Sequence, residues 1–332
     1  MEDLFYLNKH EFCLNTANTG MTRLETCTDG IHREGEKGVI SILTTKDRKV
    51  EFINYDNHTI AWVNSALGYH AYYPVYPVRI EYPVEAVLMD LDGTTVRSEE
   101  FWIWIIQLSI SSLIDDAKFS LEDDDIPYVS GHSVSEHLSY CIQKYCPDKS
   151  VEDAREHYFR HSKEQIQLIL EGKGKQDAFV PTSGVKEFLL ELKSLGIHIA
   201  LVTSGLHEKA WPEIVDAFRT MQLGSPDEFY DTIITAGYPL QKGFSGTLGE
   251  LSPKPHPWLY AEALRVGLGI PFHQRHHAIG IEDSAAGIVS ITLAGISAIG
   301  LVGGNIEESG TSALCYKHCK DFDEILSVIK GQ

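Results

Sequence analysis

From Val84 onward, short apolar runs alternate with amphipathic stretches. VEAVLMD (84–90), IHIALVTSG (197–205), YDTIITAG (230–237), HHAIGIEDS (276–284) and GISAIGLV (295–302) have strand length and end in turn residues or acids. Between them lie helical patterns such as GVKEFLLELKSLG, PWLYAEALRVG and SAAGIVSITLAG. The first of these ends in Gly196, where a helix C-cap favours glycine. Apolar strands alternating with helices predict an α/β fold with a parallel sheet covered on both faces. In such sheets ligands bind beyond the carboxyl ends of the strands.

Two segments break the pattern. Residues 98–182 hold helical stretches without strands between them: the apolar run from Phe101 to Ile114, SVSEHLSYCIQKYC, and VEDAREHYFRHSKEQIQLILEGK with Ser150 as its expected N-cap. An all-helical insert after the first strand reads as a cap domain. Residues 1–80 are β-rich instead. GVISILTT (38–45), KVEFINYD (49–56) and TIAWVNSA (59–66) predict a small antiparallel meander. Tyr72 to Pro83 carries three prolines among aromatics and reads as an extended linker or edge segment. The expected organisation is thus an N-terminal extension (1–80), a core (84–97 and 183–332) and a cap (98–182).

Composition narrows the function. At 332 residues, 43% hydrophobic and 23% charged, the chain has material for two or three modules. Its formal charge of −19 argues against nucleic acid and anionic lipid as partners. No run is long enough to span a membrane, and the start MEDLFYLNKHEF lacks the basic and apolar regions of a secretion signal. Six scattered cysteines without a CxxC pair read as free thiols, so the expected location is cytoplasmic. Cys315, His318 and Cys319 lack a second half-site for metal. His157 and His161 lie one turn apart in EHYFRH, which is not a zinc-hydrolase pattern.

The chemistry gathers at strand ends. Asp90-Leu91-Asp92-Gly93-Thr94 follows the first strand, Thr203-Ser204-Gly205 the second, Lys254-Pro255 the third after a loop, and Glu282-Asp283-Ser284 the fourth. Carboxylates ending an apolar run are costly unless paired. A Mg²⁺ ion and a phosphate would pair them, since Mg²⁺ prefers oxygen and is held by one or two carboxylates plus substrate phosphate. Asp90 and Asp283 supply those oxygens. Asp92, crowded by acids, is expected to keep its proton and to act as general acid and base. Thr203 and the Ser204 amide can donate hydrogen bonds to a phosphoryl group, and Lys254 adds positive charge against the developing oxyanion. This set fits phosphoryl transfer, in which positioning and charge neutralisation dominate.

MDLDGT, VTSG, SPKPHP and GIEDSAAG together resemble the four motifs of the haloacid dehalogenase superfamily, in the branch with a helical cap between motifs one and two. The resemblance covers residues 84 to about 305. It implies a Rossmann-like sheet, Asp90 as nucleophile, and Asp92 as acid/base. It implies phosphoryl contacts from Thr203 and Lys254, and Mg²⁺ held by Asp90, the Asp92 carbonyl and Asp283, with Glu282 adjacent. Asp92 points to phosphate monoesters or phosphosugar mutation, because relatives that cleave carbon–halogen or carbon–phosphorus bonds lack an acid there. Similar β-phosphoglucomutases carry a histidine about twelve residues after the nucleophile, where this chain has Trp102. The expectation is a phosphatase of a small phosphorylated metabolite, a sugar or polyol phosphate. The alternatives are a phosphosugar mutase, or a binding or regulatory protein on the same scaffold. Two features fall outside the resemblance: the N-terminal extension, and the stretch 238–253, whose glycines suggest a flap. Ser130, Gly131 and His132 are the expected cap contacts.

Overall fold

The computed structural model describes residues 20–64, 70–129, 134–236 and 253–332. The flap stretch, but for Pro253, and the cap contacts Ser130, Gly131 and His132 lie outside them. The chain divides into two compact units. The first comprises Met1–Thr95, Thr182–Ala210 and Gly224–Gln332; the second comprises Val96–Pro181 and Trp211–Leu223.

The first unit holds two sheets. The N-terminal sheet is antiparallel in chain order, from β1 (Thr22–Leu24) through β2 (Val39–Thr44), β3 (Val50–Tyr55) and β4 (Thr59–Val63) to β5 (Ala71–Pro74). The three expected meander strands are its centre. Its outer strands β1 and β5 have one neighbour each, and Pro74 is tolerated because an edge leaves one hydrogen-bonding side unused.

The second sheet is parallel. Its strands are β6 (Ala86–Asp90), β9 (His198–Leu206), β10 (Thr232–Ala236), β11 (Ala278–Glu282), β12 (Ser297–Leu301) and β13 (Cys315–Cys319), in the order β10-β9-β6-β11-β12-β13. The first strand in sequence is therefore central, with Asp90 level with Val202 of β9 and Met89 level with Ile281 of β11. All five residues of β6 are buried, as are those of β11. Such all-apolar runs suit a strand covered on both faces. Cys315 and His318 fall on the edge strand β13, and the described residues hold no metal-ligand cluster there.

One hydrophobic cluster joins the two sheets. It contains Leu43, Val50, Phe52, Ala61, Val63 and Tyr73 of the N-terminal sheet together with Leu88, Val202, Leu259, Tyr260, Ile288 and Ile291 of the parallel-sheet layer. The inward residues of β3, Val50 and Phe52, alternate with Glu51 and Ile53, as period-2 burial demands. The N-terminal sheet thus packs as part of the first unit's core.

The second unit is built on helices Glu99–Ile114, Val134–Tyr145 and Val151–Leu170. Ser150 caps the last of these by accepting from the Asp153 amide at 3.1 Å. The insert is not wholly helical, because β7 (Val96–Arg97) pairs antiparallel with β8 (Val180–Pro181) where the chain enters and leaves it. Two residues per strand are too few to show as a hydrophobic period. Among the described residues, no helix is long and apolar enough to cross a membrane.

Because Phe52 is fully buried in the shared cluster, Phe52→Ala is expected to cost about 3–5 kcal/mol. Urea unfolding followed by probes in both sheets should show one common shift. Loss of the N-terminal signal alone, with the parallel sheet unmoved, would mean that the two layers fold separately.

Candidate active site

The carboxyl ends of β6, β9 and β11 bring four sequence segments together. Asp90 ends β6, Thr203 and Ser204 lie in the last part of β9, and Glu282 ends β11 with Asp283 next to it. Lys254 enters from the loop before helix Trp258–Glu262. Its backbone amide donates to Ser204 Oγ at 3.0 Å, and its peptide bond to Pro255 is cis.

Lys254 is the electrostatic centre. Its ammonium donates to Asp90 Oδ1 at 2.5 Å, to Glu282 Oε1 at 2.6 Å and to the Val202 carbonyl at 3.1 Å. The Lys254, Asp90 and Glu282 side chains are all buried. Burial alone would favour the neutral amine, but the charges of Asp90 and Glu282 outweigh it and hold the lysine pKa above its ordinary value. One ammonium cannot neutralise three buried carboxylates. The excess falls on the aspartates. Asp283 is pushed up to about 7 by its burial and then by the Glu282 charge. Asp90 is held well above the usual carboxylate range by burial, with Glu282 adding to it and Lys254 opposing.

Glu282 has a role that the sequence did not reveal. Its Oε1 also accepts from the Tyr260 hydroxyl at 3.3 Å. Its Oε2 accepts from the amides of Asp283 and Ser284 at 3.1 and 3.0 Å, and from Ser284 Oγ at 2.9 Å. A Cβ on Gly287 would lie 1.8 Å from Glu282 Oε1, so the AAGI turn of the following helix must be open at that point. With both oxygens engaged by the protein, Glu282 orients Lys254. The glutamate beside an Asp at a strand end was the only sequence signal for this.

The remaining expected residues are placed as follows. Thr203 is buried, and its Oγ1 accepts from the Gly205 amide at 2.9 Å, which leaves its own O–H to donate. Ser204 Oγ holds the Lys254 amide. Asp92 is half-buried at the turn after β6. That turn requires Gly93, which has φ +87° and whose Cβ would meet Asp283 Oδ2 at 2.1 Å. Thr94 Oγ1 donates to Asp283 Oδ1 at 3.4 Å, and Thr95 Oγ1 to the Asp90 carbonyl at 2.5 Å.

Oxygens of Asp90, Glu282 and Asp283 lie within 4.8 Å of one another, all on buried residues. A buried, oxygen-only cluster with surplus negative charge suits a hard divalent cation such as Mg²⁺. The donor chemistry therefore fits a metal.

A second link was also missed. The Tyr73 hydroxyl of β5 hydrogen-bonds His256 Nδ1 at 2.7 Å, and the His256 carbonyl accepts from Ser290 Oγ at 2.6 Å. The N-terminal sheet thereby grips the loop that carries Lys254. The partners are 183 residues apart, beyond the reach of any local pattern.

The family model for haloacid dehalogenase-like hydrolases matches residues 84–295. This chain belongs to that family. It is a hydrolase whose parallel core sheet is joined by an additional antiparallel N-terminal sheet. A glyceraldehyde 3-phosphate phosphatase from Methanocaldococcus jannaschii is 22% identical over 170 residues, covering 46% of this chain and 62% of that relative. The chain thus spans less than two thirds of that protein's length. Solved structures of similar fold include a family hydrolase from Deinococcus radiodurans with bound phosphate and sodium (20% identical, TM-score 0.51, covering 76% of this chain and 97% of that one). Another, from Haemophilus somnus, is assigned as a phosphoglycolate phosphatase (18%, 0.52, 74% and 98%). A third, from Thermotoga maritima, is assigned as a β-phosphoglucomutase (21%, 0.52, 74% and 99%).

The raised Asp283 pKa gives a signed prediction. The folded carboxyl titrates near 7 against 3.8 for the ordinary group. Between those values the folded state binds more protons, so metal-free stability falls as pH rises through that window, by about 2–4 kcal/mol. A cation needs the ionised form. Thermal melts should show a larger Mg²⁺-induced rise in Tm at about pH 8 than at about pH 5.5. Asp283→Asn should flatten both dependences.

Proposed function

We propose that this hydrolase is a Mg²⁺-dependent phosphatase of a small phosphorylated metabolite, a sugar or polyol phosphate, acting through an aspartyl-phosphate on Asp90. The observation that supports this most is the buried contact of Lys254 with Asp90 beside Asp283. A nucleophilic carboxylate must approach an anionic phosphoryl group, and its neighbours have to cancel that repulsion. Asp90, Asp283 and the Asp92 main-chain carbonyl would hold Mg²⁺, whose charge would lower the remaining repulsion.

The residues of the chain then have separate tasks. Lys254 fixes Asp90 Oδ1 and keeps positive charge beside the incoming oxygens. The Thr203 hydroxyl and the Ser204 amide donate to the phosphoryl group. An Asp90 oxygen attacks phosphorus, the ester P–O bond breaks, and Asp92 gives its proton to the leaving alcohol. Asp92 then takes a proton from water, the resulting nucleophile attacks phosphorus, and the P–O bond to Asp90 breaks to release phosphate. We take the helical unit as the cap suggested by its place in the chain.

The mutase reading is disfavoured by Trp102. It stands where similar mutases carry a histidine, and its indole Nε1 donates to Glu213 Oε1 at 2.9 Å. It is a packing and hydrogen-bonding residue with no proton to shuttle near neutral pH.

The test is phosphate release from hexose, pentose and polyol phosphates and phosphoglycolate, with and without Mg²⁺. Release is expected to need Mg²⁺ and to fall by at least about 10³-fold in Asp90→Asn. Interconversion of hexose 1- and 6-phosphates primed by a bisphosphate, with little free phosphate, would establish the mutase instead. No turnover in either assay by folded protein would favour a binding role.

A further inference from the structure

The N-terminal sheet carries a second cluster of metal-ligating side chains, in the short turn CTDGIH (27–32). The turn is closed by the Cys27 amide donating to the His32 carbonyl at 2.9 Å and by the Gly30 amide donating to the Cys27 carbonyl at 3.0 Å. A bridge between Thr26 and Arg33 continues it outward. Cys27 packs with Val39, Ile42, Ile53 and Trp62, so the turn lies on the sheet face opposite Val50 and Phe52.

Ligand atoms of Cys27, Asp29 and His32 lie within 4.8 Å of one another. The backbone is already arranged around them. Asp29 Oδ1 accepts from the Ile31 and His32 amides at 2.6 and 3.1 Å. Asp29 Oδ2 meets His32 Nδ1 at 2.5 Å and also accepts from the Tyr72 hydroxyl. Beside them stands Glu51, a residue with 0% exposure in the middle of β3. It accepts from the Thr28 amide at 2.8 Å and from Thr28 Oγ1 at 2.5 Å.

The charge here is unbalanced. Two carboxylates, Asp29 and Glu51, and one thiol face a single imidazole, and no lysine or arginine ion-pairs with Asp29 or Glu51 among the described residues. A buried carboxylate in an apolar layer calls for a cation.

We propose that Cys27, Asp29 and His32 form a structural site for a borderline divalent cation of the zinc class. The Cys27 thiol proton is released to solvent when the metal binds, and a water completes the ligand set. A mixed sulfur, nitrogen and oxygen set is what zinc accepts. It differs in kind from the oxygen-only cluster at Asp90. The ion would lock the turn, which Glu51 of β3 anchors through Thr28, over the outer face of the sheet whose inner face packs on the core.

Cobalt(II) tests this directly, because only a sulfur ligand gives a thiolate-to-cobalt charge-transfer band. Full-length protein is stripped with chelator, saturated with Mg²⁺ and titrated with Co²⁺. One equivalent is expected to develop the band, and Zn²⁺ should displace it and raise Tm. The band should vanish in Cys27→Ser. In His32→Gln, at a partly exposed position, cobalt should bind at least about tenfold more weakly, since even an outer-layer partner of a metal ligand costs that much. Circular dichroism confirms that each variant is folded. No thiolate band in wild-type protein overturns the site. So does a band that persists in Cys27→Ser, or unchanged affinity in His32→Gln.

Discussion

An ammonium group buried among carboxylates is the constraint on which this structure turns. Lys254 is held between Asp90 and Glu282, with Asp283 a further buried acid nearby. None of these charges could be buried alone, because an unpaired ion in the interior costs several kcal/mol. Their desolvation is offset only when each stands at a fixed distance from the others. The parallel sheet provides that. β6, β9 and β11 are neighbours with a register that brings Asp90, Thr203 and Glu282 to one edge. Lys254 comes from outside the sheet and is held by three contacts, to Asp90, Val202 and Glu282. The site therefore keeps surplus negative charge by construction, and that surplus suits it to a divalent cation.

The parts of this arrangement that the sequence disclosed are the parts with a local signature. β6 and β11 are continuous apolar runs that stop at acids, so both the strands and the placement of Asp90 and Asp283 could be read directly. Strand β13 could not, because Tyr316 and Lys317 point to solvent and an edge strand of mixed polarity lacks the period of a buried one. The edge strand β1 escaped notice because it is three residues long, and β5, among prolines, could be read only as the start of an extended linker or edge segment. The role of Glu282 was hidden by its neighbour. An acidic pair after a strand suggests two metal ligands. Only the packing shows that one of them is bonded to Lys254, Tyr260 and Ser284. The turn CTDGIH passed unremarked because its partner, Glu51, belongs to another strand.

The N-terminal sheet could be taken for a separable module that recognises a partner. Its side chains argue otherwise. The inner residues of β3 and β4 lie in the same cluster as Leu259, Tyr260 and Ile288, so removing the sheet would expose the apolar face of the helices that follow Lys254 and Asp283. The hydrogen bond from Tyr73 to His256 adds direction to that packing. His256 is two residues from Lys254, its carbonyl is tied to Ser290, and Ser290 lies in the helix that begins at the Asp283 turn. A shift of β5 would move the loop of the buried lysine and the helix after Asp283 together. The added sheet therefore acts as a brace for the loop that carries Lys254. Its packing bears on the position of one ammonium group, which must stay within hydrogen-bond reach of Asp90 and Glu282 for either charge to remain buried.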